Sequence, residues 1–429
     1  MLRFIAITRS TARSACRGRE IWAQLTWRQL GTSPAGPLSG IRVLEMSAIG
    51  PVPYACMLLS DLGAEIIRID RIEGVREGKK SQVDPILRGR RGNIAIDLKR
   101  KEGVELMLDF VKESHVLVEG YRPGVMEKFG LSPVTCMNIN PQLCYGRMTG
   151  YGQFGTDALK AGHDINYLSI NGLLSNLKRN DSDLPLPPLN LVGDFAGGAM
   201  FLLVGILSAL ISKKGQVIDA AMMDGSASLL SMLLAHNSLK GSFLYHDFFR
   251  PGSNLLDQGA PFYNVYECKD GKHISIGAIE IQFYEEFVKI MQLDEDDRFA
   301  TKNQFNRDFW NKNIKILQGI FITRDRDEWV TLFKETDCCF TPVLSLDEAI
   351  EYPHNKQRNL YTKINGTLLP NVAPRFQSVP SDRVNGSAIK SHVPLHPGAS
   401  SHEVLRYFNI SNSRIDSLMR EGIVKQNEK

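Results

Sequence analysis

The chain has 429 residues, 43% apolar and 23% charged, with 51 lysines and arginines against 47 acidic residues. That length at ordinary apolar content exceeds a single core, so two packed units are expected, and the composition excludes a disordered, collagen-like or disulfide-dense chain. Seven cysteines without a C-x-x-C pair cannot all close into bridges, which argues for free thiols in a reducing compartment and against a zinc site.

The net charge of +4 is unevenly placed. Arg3, Arg9, Arg13, Arg17, Arg19 and Arg28 face a single acid, Glu20, within residues 1–35; setting that stretch aside leaves 45 bases against 46 acids. A nucleic-acid-binding protein should carry its basic patch on the folded body, so no nucleic-acid partner is expected. An Arg-, Ser- and Thr-rich leader poor in acid reads as a mitochondrial transit peptide over 1–35, with a plain disordered basic tail as the alternative. The chain ends Asn427-Glu-Lys429, which is no peroxisomal tripeptide, and this too directs the expectation to mitochondria.

From Gly40 onward the periodicity alternates. Ile41 to Met46 is a short apolar run. Tyr54, Met57, Leu58 and Leu62 then share one helical face, which Gly63 can end. Glu65 to Asp70, Asn93 to Leu98, His115 to Glu119 and Leu143 to Met148 read as strands, with helices over 102–112 and 125–129 between them. Strand and helix in turn predict an α/β unit over 38–228, a parallel Rossmann-like sheet covered by helices on both faces. No P-loop occurs. Phe195 to Ser212 carries no charge, but its interruptions and the Lys213-Lys214 end favour a buried core helix over a membrane span. Gln216 to Ala221 reads as a strand and 226–236 as another apolar helix. Phe262–Glu267 and His273–Ile279 flank a turn signal at 268–272, so a hairpin followed by helices predicts a smaller α+β domain over 255–330. Cys339 to Leu344 reads as a strand, and Ser345 to Glu348 as a capping box. These place the chain's return to the large domain, with C-terminal helices, over 338–429.

Three polar residues stand in apolar or glycine-rich surroundings. His163 lies in Ala161-Gly-His-Asp-Ile-Asn-Tyr167, Asp194 in Asn190-Leu-Val-Gly-Asp-Phe-Ala-Gly-Gly198, and Glu280 ends Gly277-Ala-Ile-Glu280. On the residues alone each has an ordinary reading: a satisfied core histidine, a helix N-cap, a first-turn acid.

Together these segments, with Gly40-Ile-Arg-Val-Leu-Glu-Met-Ser47, Asp61-Leu-Gly-Ala-Glu-Ile-Ile-Arg-Ile-Asp-Arg71, Gly215 to Ala220, Gly259 to Tyr263 and Thr341 to Leu344, resemble the family III CoA-transferase superfamily, and within it the alpha-methylacyl-CoA racemases. The resemblance runs over residues 38 to 360. Ala199 and Asp224 depart from the racemase pattern without removing a proton-transfer group. The resemblance implies an acyl-CoA substrate, an interlocked homodimer, and no metal, flavin or nucleotide cofactor. By the same resemblance His163 and Asp194 form the catalytic pair, Glu280 supports the histidine from the neighbouring subunit, and Asn190 stands near the aspartate. The matching CoA positions are Arg71, Ile96, Asp97, Leu98, Lys99 and the loop Gly162, His163, Asp164, Ile165, Asn166 and Tyr167, with Arg122 beside them. The Asp164 backbone N–H is the expected donor to an enolate oxygen. Met222, Met223 and Met232 suit either an acyl-chain surface or plain core packing. The resemblance also leaves open a CoA-transferase with Asp194 as nucleophile, or a relative that binds acyl-CoA without catalysis.

Overall fold

A computed structural model describes residues 36–75, 84–179, 183–239, 250–364, 367–376 and 396–427; the basic leader at 1–35 lies outside them. Seven strands build the main sheet: β1 (Arg42–Met46), β2 (Glu65–Arg71), β3 (Arg90–Ile96), β4 (Val116–Glu119), β5 (Cys144–Thr149), β6 (Gln216–Ala221) and, at the chain's end, β12 (Val424–Lys425). Their order is β12-β3-β2-β1-β4-β5-β6, and every neighbour pair is parallel except β12 with β3. Side chains alternate between two cores, as the two-residue period of a strand requires. Leu44, Ile67 and Ile69 join Leu106, Phe110 and Tyr145 on one face, while Val43, Ile66 and Val118 join Val52, Leu59, Leu202 and Ile206 on the other. A sheet buried on both faces demands the near-continuous apolar strands that the sequence displays.

The strand order reverses between β1 and β4. Chain segments leaving the carboxyl ends of those two strands diverge, and a crevice opens between them.

Residues 250–343 form the smaller unit, an antiparallel sheet of β7 (Tyr263–Glu267), β8 (His273–Gly277) and β9 (Phe340–Val343) packed by the helices Ile281–Ile290, Arg307–Phe321 and Arg326–Leu332. Its core is aromatic, with Phe262, Tyr266, Phe287, Trp310, Phe321 and Trp329 buried. The return to the large unit comes later than the sequence predicts. The strand at 340–343 pairs with β8, Thr341 opposite Ser275, and so closes the small sheet. A hairpin, β10 (Tyr361–Ile364) with β11 (Thr367–Pro370), intervenes. Among the described residues after β9, it is 396–427 that rejoin the main sheet, through Ser400 on Asn93 and through β12 on the edge of β3.

The apolar segment near 200 also differs from a fully buried helix. A π-helical turn, Leu191–Ala199, runs into the α-helix Met200–Ser212. Leu202, Leu203, Ile206 and Ala209 pack on β5 and β6, whereas Val204 and Ile211 remain 59% and 80% exposed. By length and composition Leu191–Ser212 could cross a membrane, but its packing on the sheet makes it a half-buried helix of the large unit. The helix expected over 226–236 is two, Met222–Leu229 and Ser231–Ser238, broken where Leu230 takes ψ −6°.

Candidate active site

Loops from the carboxyl ends of β1, β4 and β5 meet at the crevice. After β1 the chain turns at Gly50, where φ is +65° and an added Cβ would lie 3.3 Å from Asp194 Oδ2, so a side chain there is strained by the positive φ and crowds the carboxylate. After β5, Gly150 sits under the Tyr167 ring, where a Cβ would come within 2.0 Å. Tyr167 in turn donates its hydroxyl to the Gly162 carbonyl and meets Tyr151 edge to face at 4.9 Å. These contacts fix the loop that carries His163. The histidine is exposed, just ahead of the helix Asp164–Ile170, with its backbone N–H donated to Asn166 Oδ1 at 3.0 Å.

Asp194 is the fourth residue of the π-helical turn rather than its N-cap, a position held by Asn190. Asn190 Nδ2 donates to Asp194 Oδ2 at 3.3 Å. The Tyr54 ring stacks on Phe195 at 4.5 Å, tying the turn to the helix Pro51–Asp61. Burial pushes the Asp194 carboxyl above its ordinary value; the Asn190 amide draws it back, the Asp164 charge adds to the rise and His163 opposes it.

His163 and Asp194 line one cavity of about 490 Å³, together with Gly50, Arg122, Tyr151 and Met222. An imidazole and a carboxylate on one cavity wall system provide two proton-transfer groups of different chemical type. A second cavity of about 410 Å³ lies along the same sheet edge and is lined by Arg71, Glu73, Ile96, Asp97, Leu98, Lys99 and Phe129. Tyr121 lines both, so the two adjoin. The Arg71 guanidinium sits 5.4 Å over the Tyr121 ring, and Lys99 Nζ pairs with Glu73 Oε1 at 2.6 Å in an exposed contact.

The sequence-predicted residues therefore fall into two groups at one sheet edge, with exceptions. Gly162, Asn166 and Tyr167 line the first cavity, while Asp164 turns inward and Ile165 lies outside it. Met222 lines the cavity, Met223 packs into the core beside it and Met232 is exposed elsewhere. Glu280 is exposed in the small unit, directly ahead of the helix Ile281–Ile290, and lines neither cavity of this chain. Sequence reasoning passed over Tyr121, Tyr151 and Lys160. Tyr121 had a legible signal, since it follows the end of an apolar strand, where α/β ligand sites lie.

Comparison with known proteins agrees with this architecture. Residues 38–388 match CoA-transferase family III. The chain is 38% identical to human alpha-methylacyl-CoA racemase over 398 residues, covering 91% of this chain and 98% of that protein. It is 26% identical to mouse succinyl-CoA:glutarate CoA-transferase, covering 98% and 97% of the two chains. Among solved structures, a CAIB/BAIF family protein from Brucella suis superposes with a TM-score of 0.72 at 22% identity, over 87% of this chain and 100% of the other, which speaks to the fold alone. The matched residues include both cavities and the small unit, and the chain belongs to CoA-transferase family III.

Proposed function

We propose that this enzyme interconverts the (2R) and (2S) epimers of 2-methylacyl-CoA thioesters. The observation that carries the reading is the pair His163 and Asp194 on a single cavity, beside a second cavity whose Arg71 and Lys99 suit the phosphates of CoA. One group removes the proton from C2, the C–H electron pair passes to the thioester carbonyl as an enolate, and the other group delivers a proton to the opposite face. The roles exchange with the direction of reaction. The raised proton affinity of Asp194 suits this exchange, because a carboxylate that holds a proton more tightly is a better match for imidazole. Similarity to racemases along 91% of the chain supports the same reading.

The reading extends to a homodimer in which Glu280 of a second copy pairs with His163 and makes imidazolium easier to form. Exposed leucines at 184, 186 and 189, with Val204 and Ile211, offer that copy an apolar surface. The Arg-rich leader supports a mitochondrial destination, and branched-chain fatty acid or sterol-side-chain thioesters are the fitting substrates; the site's own acid and base suffice for the reaction without a cofactor.

The test is incubation with one epimer of a 2-methylacyl-CoA in deuterated water. Deuterium at C2 of both epimers without an acceptor acid is expected. CoA transfer to an added carboxylate without label would instead identify Asp194 as the nucleophile of a transferase, and binding with neither activity would identify an acyl-CoA-binding protein. His163→Ala should lower interconversion of the two epimers by about two to four orders of magnitude while CoA still binds.

A further inference from the structure

Asp164 follows His163 in the chain, yet its carboxylate turns into the protein, where the residue is 5% exposed. There Oδ2 accepts the backbone N–H of Asp194 at 2.8 Å. The other oxygen, Oδ1, is buried without a partner. The opening residues of a π-helical turn have N–H groups with no acceptor inside the turn, and a buried N–H must be satisfied from elsewhere. Asp164 supplies that acceptor across a gap of 30 residues in sequence. The fit is closely built, since a Cβ on Gly193 would stand 2.5 Å from Asp164 Oδ2.

The consequence is a short connection between the two proton-transfer groups. One peptide link joins Asp164 to His163, and one charge-assisted hydrogen bond joins it to the backbone of Asp194. We propose that the Asp164 side chain is a positioning residue for the reaction, tying the Asp194 backbone to the start of the His163 helix and thereby fixing the separation of acid and base. This rests on the two-base reading above. Misplacing a reacting group by about 1 Å costs about a hundredfold in rate, so a tether of this kind acts on turnover more than on binding. Asp164 also acts through its charge. The groups facing the Asp194 carboxylate are Asp164, His163, Tyr167 and the Asn190 amide, and among them Asp164 raises its proton affinity.

The experiment measures deuterium exchange into a 2-methylacyl-CoA as a function of pH for the full-length enzyme, Asp164→Ala and Asp164→Asn. Asp164→Ala should lower kcat about a hundredfold with KM changed less than about threefold. Asp164→Asn keeps an acceptor oxygen and should recover most of kcat. Its acid limb should move to lower pH, because the negative charge that holds the Asp194 proton is gone. A role limited to stability would lower the melting temperature without the split between kcat and KM and without moving the limb. Wild-type kcat in a folded Asp164→Ala, or an unmoved acid limb in Asp164→Asn, would overturn the proposal; if the alanine variant fails to fold, the limb of the asparagine variant decides. An unsubstituted enzyme that exchanges no deuterium would overturn the two-base reading, and this inference with it.

Discussion

Glu45 is fully buried beneath the cavity, at the carboxyl end of β1, and holds two arginines: Arg68 at 2.5 Å through one carboxylate oxygen and Arg90 at 2.8 Å through the other. Arg68 also reaches Ser47 Oγ at 3.2 Å, at the root of the loop that continues to Gly50 on the cavity wall. Glu45→Gln preserves shape but replaces one acceptor oxygen with an N–H donor, so one guanidinium meets a donor instead of a carboxylate. Breaking a buried ion pair from one side costs about 3–5 kcal/mol. The lower end applies here, because Arg68 keeps Asp70 at 3.0 Å and Arg90 keeps the carbonyls of Ile86, Arg88 and Pro53. A loss of about 3 kcal/mol is a factor of about a hundred in the opening equilibrium. Hydrogen exchange read by mass spectrometry on peptides spanning β1, β2 and β3 should therefore accelerate about a hundredfold, while the aromatic core of the small unit keeps its protection. Exchange within about threefold of wild type would refute the reasoning, since it would mean that the two arginines do not depend on Glu45 for their charge balance.

Three further outcomes are expected. A Cβ at Gly225 would lie 1.8 Å from the Gly197 carbonyl, so Gly225→Ala should force the helix Met222–Leu229 away from the π-helical turn, cost about 1–3 kcal/mol and lower kcat; Gly319→Ala, in the helix Arg307–Phe321 with open space around it, should stabilise by about 0.5–1 kcal/mol, and melting curves distinguish the two. Arg71→Ala should raise KM for acyl-CoA about tenfold with kcat retained, and should reduce the salt dependence of binding; an unchanged KM would remove Arg71 from the CoA site. Because burial raises the Asp194 carboxyl, activity that needs its ionised form should be present above that raised value and fall as pH drops through it, at a pH above the ordinary aspartate value; a kcat profile falling at or below the ordinary aspartate value would contradict this.

The strand periods were legible because burial on both faces leaves a one-dimensional record. EIIRID and HVLVE can hardly be anything but inner parallel strands. The capping box at Ser345 was equally readable, since both of its hydrogen bonds lie within four residues: Glu348 N–H to Ser345 Oγ at 3.3 Å and Ser345 N–H to Glu348 Oε2 at 3.0 Å. Phe340–Val343 was misplaced for the opposite reason: a short apolar strand fits either sheet, and its partner β8 lies more than sixty residues away. The exposed flank of Met200–Ser212 escaped because apolar composition marks a surface to be covered without saying what covers it.

By itself the sequence determined the layered α/β class, the two units and the identity of His163 and Asp194 as residues worth weighing, while Arg71 and Lys99 entered through the family resemblance. The former follow from periodicity and from polar groups set in apolar or glycine-rich runs, which are local properties. Tertiary structure alone decided that His163 and Asp194 share a cavity at the carboxyl edge, that Arg71 and Lys99 line its neighbour, and that Asp164 turns inward to hold the Asp194 backbone. Those relations join residues far apart in the chain, and they are set by the reversal of strand order between β1 and β4, which no local pattern encodes.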